Sequence, residues 1–149
     1  MVPRAAELIE TLDLEPHPEG GFYRQVYKSP HIVQPDDGRD ARSALTAIYF
    51  LLPAGEKSRW HRVRSDEIWT HLEGSPVTLH LFDGTSASRI VVDRMHVVPA
   101  DVWQAAEPSG DYALVACFVA PGFEFEDFAM MSDAPDLIAQ LPQELRRLI

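Results

Sequence analysis

Cysteine is almost absent. One residue of 149 is Cys, at position 117, so no internal disulfide can form. It lies in the apolar run 113–119 with no basic neighbour, and a buried, unreactive core thiol is expected there. Positive charge is scarce too. Thirteen Lys and Arg stand against twenty-three Asp and Glu, a net charge of -10. A phosphate-backbone partner needs a basic stripe, so no nucleic-acid partner is expected, and no helix-turn-helix pattern argues otherwise. Apolar runs fall well short of the roughly 20 residues that span a bilayer, so no membrane partner is expected. Pro3 and Arg4 give way to acidic residues, unlike a signal peptide, and the cytoplasm is the default compartment. Repeats and low-complexity tracts are missing.

What is present reads as globular. Hydrophobic residues make up 46% and charged residues 24%, and a chain of this length can bury a core as one domain, 1–149. Residues 3–14 read as a short helix, with Pro3 in the first turn and an apolar stripe of Leu8, Ile9 and Leu12. His17-Pro18-Glu19-Gly20-Gly21 cannot be helical, and the glycine pair allows positive φ or a close backbone approach. Residues 29–42, rich in Pro, Asp and Gly, read as a surface loop. From residue 22 onward, apolar and alternating runs are separated by turn signals. They predict seven to nine short strands and an all-β sandwich or closed barrel over about 20–131. Phe123, Phe125 and Phe128 alternate with acids and predict an arm covering the barrel or a partner, with a substrate lid as the second reading. Residues 133–149 read as a helical tail split at Pro142.

The stretch from Gly55 to Gly74 organises the rest. Side chains at i and i+2 share a face of a strand. His61 and Val63 therefore point one way, as do Glu67, Trp69, His71 and Glu73, while Ile68 and Leu72 take the other face. An ordinary core does not tolerate so polar an inner face, so this face predicts a lined cavity. Trp60, Trp69 and Trp103 are expected to pack, with Trp69 the exception that can wall a ligand. His17, His31 and His96 read as turn or surface residues. Arg59, Arg62 and Arg64 read as a solvated edge or, alternatively, as anion recognition at the pocket mouth.

Gly55, His61, Glu67 and Gly74 match the first cupin motif at every spacing, with Val63 where the family has a second histidine. The second motif is partial. Pro99 is in place, Asp101 stands for glycine, Gln104 for histidine and Pro108 for asparagine. Segments resembling His17–Tyr23, Ser58–His61, Ser65–Glu67, Val98–Ala106 and Gly110–Phe128 make the chain similar to one cupin subgroup over roughly residues 5–131. That resemblance implies a double-stranded β-helix, the cupin jelly roll, with short terminal helices, and a homodimer. It carries no reaction with it, because the superfamily hosts many.

Two chemistries follow for the site. A cupin metal centre uses three histidines and a glutamate. Here the resemblance offers His61, Glu67 and Gln104 for a divalent metal, with an amide as a feeble third ligand. The metal-free alternative keeps His61 and Glu67 as a catalytic acid/base pair. The cupin sugar epimerases work with a histidine base and a tyrosine acid, a role open to Tyr112 or Tyr49. Trp69, His71, Gln104 and Tyr112 are the expected substrate pocket. The function expected is an isomerase or epimerase acting on a sugar-like or carboxylated small molecule. A non-catalytic metabolite binder and a structural dimer with a degenerate metal site are the alternatives.

Overall fold

The computed structural model describes residues 1–149. One helix precedes the strands: α1 (Pro3–Thr11). The strands are β1 (Glu15–Pro16), β2 (Phe22–Lys28), β3 (Ile32–Val33), β4 (Arg42–Ser43), β5 (Thr46–Pro53), β6 (Ser58–Arg62) and β7 (Asp66–Gly74). They continue with β8 (Val77–Phe82), β9 (Ala87–Val92), β10 (Met95–Val98), β11 (Trp103–Pro108), β12 (Tyr112–Ala120) and β13 (Ala129–Met130). A six-stranded sheet runs β1-β2-β5-β12-β7-β10, and a five-stranded sheet β13-β6-β11-β8-β9. The long strands pair antiparallel, and the two sheets face each other as a jelly roll.

The two sheets enclose different things at their two ends. At one end Phe50, Leu52, Val77, Leu79, Val92 and Val115 form a close-packed apolar core. At the other the interior is open, and polar side chains of the strands reach into it. Outside, α1 lays Ala5 and Leu8 against Leu51 and Leu114. The tail, a short α2 (Pro135–Ile138) and a 3-10 turn at Gln143–Leu148, covers Trp60, Phe82 and Trp103 with Leu141 and Leu148. Trp60 Nε1 donates to the carbonyl of Leu145 at 2.9 Å. Asp101, which stands where the cupin motif has glycine, takes a φ of 67°, a left-handed conformation that Asp tolerates better than most residues. No helix is long and apolar enough to cross a membrane.

Two sequence expectations are corrected here. The N-terminal helix stops at Thr11, not residue 14. The 29–42 loop is not simply surface: it pairs β3 with β4 and buries Arg39 and Arg42. Both guanidiniums reach Asp127. Arg39 lies 3.3 Å from its Oδ2, and Arg42 forms a closer ion pair with the same oxygen. This pins the 3-10 turn Phe125–Asp127 over the open end of the barrel.

Candidate functional site

A cavity of about 180 Å³ occupies that open end, lined by sixteen residues of which ten are hydrophobic. His61 comes from β6 in the five-stranded sheet and Glu67 from β7 in the six-stranded sheet, so the pair stands on facing walls. Trp69, two residues beyond Glu67, shares its face and also lines the cavity. The neighbouring strands contribute Ile48, Phe50, Cys117 and Val119. Phe123, Phe125 and Phe128 close the opening. They meet nearly at right angles, with centroids 5.0 to 6.3 Å apart, and Phe128 stacks on the His61 ring at 5.3 Å. These phenyl rings therefore cover the cavity.

The hydrogen bonds set the protonation state of each polar group. His61 Nδ1 lies 2.7 Å from the carbonyl of Arg59, so Nδ1 carries the hydrogen and Nε2 the lone pair. Burial lowers the His61 pKa and keeps the ring neutral. Nε2 stands 3.1 Å from Glu19 Oε2. Burial pushes the Glu19 carboxyl up to about 8, so near neutrality it is protonated and donates to Nε2. Ser58 Oγ completes the arrangement by donating to Glu19 Oε1 at 2.9 Å. Glu67 is raised to about 7, first by burial, with a further push from Glu19. Gln104 Nε2 donates to Glu67 Oε1 at 2.7 Å, and Gln104 Oε1 accepts from Trp69 Nε1 at 2.9 Å.

Glu19 is the functional residue that sequence reasoning missed, and His17 is corrected from a turn or surface residue to a cavity wall. Its side chain is 6% exposed. Both sit in the His17–Gly21 turn, which the fold drives into the barrel mouth. A Cβ on Gly20 would lie 2.0 Å from the Lys57 carbonyl, at a φ of 106°, so only glycine lets the turn dock. The backbone N–H of Arg59 donates to the Glu19 carbonyl at 2.8 Å, and the Arg59 guanidinium reaches the carbonyls of Pro18 and Glu19. The glycine pair was the available signal for this docking.

Three expected pocket residues are not in the lining: Gln104, which holds Glu67 and Trp69 from behind, His71 and Tyr112. A register shift between Leu114 and Val115 interrupts the β7–β12 pairing. The shift skips Leu72, so His71 keeps the register of Trp69 but stands near the far end of β7, beside the turn into β8. His71 instead places Nε2 3.1 and 3.0 Å from the carbonyls of Gly74 and Ser75. Tyr112 donates to Glu73 Oε1 at 2.9 Å, the oxygen to which Arg4 Nε also donates, and does not line the cavity. The arginines are also absent from the lining: Arg59 holds the turn, Arg62 lies over the Trp103 ring at 5.0 Å, and Arg64 approaches Asp37 at 3.9 Å.

The metal set His61, Glu67 and Gln104 does not fit either. The amide oxygen of Gln104 is engaged by Trp69, its NH₂ faces the carboxylate, Val63 occupies the second imidazole's place, and His61 Nε2 faces Glu19. No group of three or more His, Cys, Asp or Glu residues is arranged to hold a metal ion.

Comparison with known proteins agrees with this architecture. Residues 6–131 match the family model described as Cupin superfamily (DUF985). A protein of Shewanella oneidensis is similar at 32% identity and a TM-score of 0.83, over 97% of this chain and 95% of that one. A hypothetical protein from Leishmania major is similar at 30% identity and a TM-score of 0.79, over 92% of this chain and 97% of the other. Oxalate decarboxylase from Bacillus subtilis shares the fold alone, at 13% identity and a TM-score of 0.61, over 90% of this chain and 33% of that enzyme. No curated protein matches.

Proposed function

The chain belongs to the Cupin superfamily (DUF985) family, and from that premise we propose that it is a metal-free enzyme of the isomerase or epimerase type that moves a proton within a small metabolite. One observation carries this reading. Two carboxyl groups reach a single aromatic cavity, Glu67 from one sheet and Glu19 bound to His61 of the other, and burial brings both near neutral pH, to about 7 and about 8. Groups so tuned can take and give protons at working pH. Glu67, with Oε1 held by Gln104, offers its other oxygen as the base. The Glu19–His61 pair, which shares one proton, is the acid. In each cycle Glu67 gains a proton from a substrate carbon, and the pair returns one to the substrate. Exchange with solvent then restores both. None of the lining residues is Lys or Arg, which argues against the carboxylated substrates and for uncharged ones.

Solvent-deuterium incorporation tests the reading. Small aldoses, ketoses and cyclic ketones are incubated with the protein in D₂O and followed by proton NMR. Enzyme-dependent exchange next to a carbonyl is expected, and Glu67→Gln abolishes it. Exchange that survives Glu67→Gln, or no exchange across the panel, contradicts it.

We also propose that two copies associate as a homodimer. Leu72, Met95 and Val97, on β7 and the adjacent edge strand β10, are exposed apolar side chains, a pattern that favours burial against a partner. Light scattering that gives a monomer mass at micromolar concentration would overturn this.

A further inference from the structure

His17 takes no part in the proton transfer described above, yet its ring is bound into the cavity wall. The backbone N–H of Glu19 donates to His17 Nδ1 at 3.1 Å. Nδ1 is therefore an acceptor, and the hydrogen of the neutral ring must sit on Nε2. The ring stays neutral because burial, and secondarily His61, holds its pKa down to about 3. It cannot turn freely. Tyr23 packs edge-on at 4.5 Å between centroids, and Phe50, Phe125 and Phe128 lie within 5.8 to 6.1 Å. Nε2 makes no hydrogen bond within the chain, although the chain leaves no fully buried polar side-chain atom without a partner. A fixed N–H donor thus stays open at the wall of the cavity that Glu19, His61 and Glu67 also line.

We propose that His17 is the residue that selects the substrate, and that the cavity takes a small, uncharged carbonyl compound whose oxygen accepts a hydrogen bond from His17 Nε2. This inference rests on the cavity being a substrate site, as the proton-transfer reading holds, but not on turnover. The chemistry of the walls is consistent with it. A carbonyl oxygen needs a donor, and a neutral imidazole supplies one without a charge to desolvate. The remaining wall is aromatic and aliphatic, suited to an apolar body. A substrate carboxylate or phosphate would meet two acids and no cation. Bonding the carbonyl oxygen also makes the adjacent carbon more acidic, which gives Glu67 a proton to remove.

The test uses three matched probes on the full-length protein. Cyclohexanone has the acceptor, methylenecyclohexane has the same shape without it, and cyclohexanecarboxylate adds negative charge. Binding is followed by ligand-observed NMR, and the His17 ring by ¹⁵N-detected imidazole resonances. The ketone is expected to bind roughly tenfold more tightly than the alkene, the size of one net hydrogen bond. It should shift the His17 Nε2–H signal, which the alkene leaves in place. In His17→Phe the preference for ketone over alkene disappears. Because the first two readouts use the wild-type chain, they stand even where His17→Phe does not fold. Failure of the ketone to bind, equal binding of ketone and alkene, or tightest binding of the carboxylate overturns the proposal. Selective ketone binding without deuterium exchange keeps the His17 assignment and sinks the isomerase reading. Exchange without ketone selectivity does the reverse.

Discussion

Asp127, a buried acid within the segment that covers the cavity, and the two buried acids beneath it, Glu19 and Glu67, differ in one respect. Asp127 meets the guanidiniums of Arg39 and Arg42. Glu19 and Glu67 make their close contacts with imidazoles, an amide and a hydroxyl, and Arg59 acts on Glu19 only as a weaker coulombic pull that burial outweighs. Paired with guanidiniums, a buried carboxylate holds structure together. Without a direct guanidinium partner, burial favours the protonated form of Glu19 and Glu67, and the proton becomes available for chemistry. The same fold thus uses one acid as a latch, which keeps Phe125 and Phe128 over the cavity, and two others as proton carriers beneath them.

Breaking the latch has the largest expected effect. Asp127→Ala leaves two buried guanidiniums without their shared partner and should cost roughly 3–5 kcal/mol, read by urea denaturation. A loss below about 1 kcal/mol, the range of a surface pair, would mean that the cluster is solvated. Next comes Gln104→Leu, which removes the acceptor of Trp69 Nε1–H and the donor to Glu67. It should cost roughly 1–3 kcal/mol and raise the pKa of Glu67 further. An unchanged midpoint would deny the amide its bridging role.

A smaller effect is expected from pH. Glu19 and Glu67 rise from their ordinary 4.5 to about 8 and about 7 on folding. The stability gained by keeping them protonated is complete below 4.5 and is lost as pH climbs through 7 and 8. His17 falls from 6.5 to about 3, so its contribution is present above 6.5 and lost only on acidification. Between pH 6.5 and 8 the carboxyls alone act, and the melting temperature should fall across that window. Glu19→Gln should flatten the fall, while an identical slope in variant and wild type would contradict the assignment. The smallest expected effect is that of a chelator. EDTA should leave the melting temperature unchanged. Val63→His combined with Gln104→His, which supplies the missing imidazoles, should make it respond to zinc. A wild-type melting point that drops with EDTA would restore the metal reading.

The strands and the facing placement of His61 and Glu67 were legible because alternation in a strand is a local property. The two-residue period carried Glu67 and Trp69 inward. It failed at His71, which keeps the register of Trp69 but stands four residues beyond Glu67, where its ring meets the carbonyls of Gly74 and Ser75 at the next turn. Glu19 was out of reach for a different reason. It acts through Ser58 and His61, about forty residues away in sequence, and nothing periodic links a loop to a strand. Only the glycines at 20 and 21 announced the close approach. The phenyl rings at 123, 125 and 128 were visible as an apolar face. That they cover a cavity depends on Asp127 reaching Arg39 and Arg42, an ion pair that residue spacing does not disclose.

An infrared titration of the carboxyl groups bears most directly on this account. Following the carbonyl stretch of protonated carboxylic acids in wild type and in Glu19→Gln, we expect a band that persists through neutral pH and fades near pH 8, with its last component missing in the variant. A wild-type protein whose carboxylic acid bands have all vanished by about pH 5, as for ordinary solvated acids, would show that the cavity holds charged carboxylates and would contradict the account.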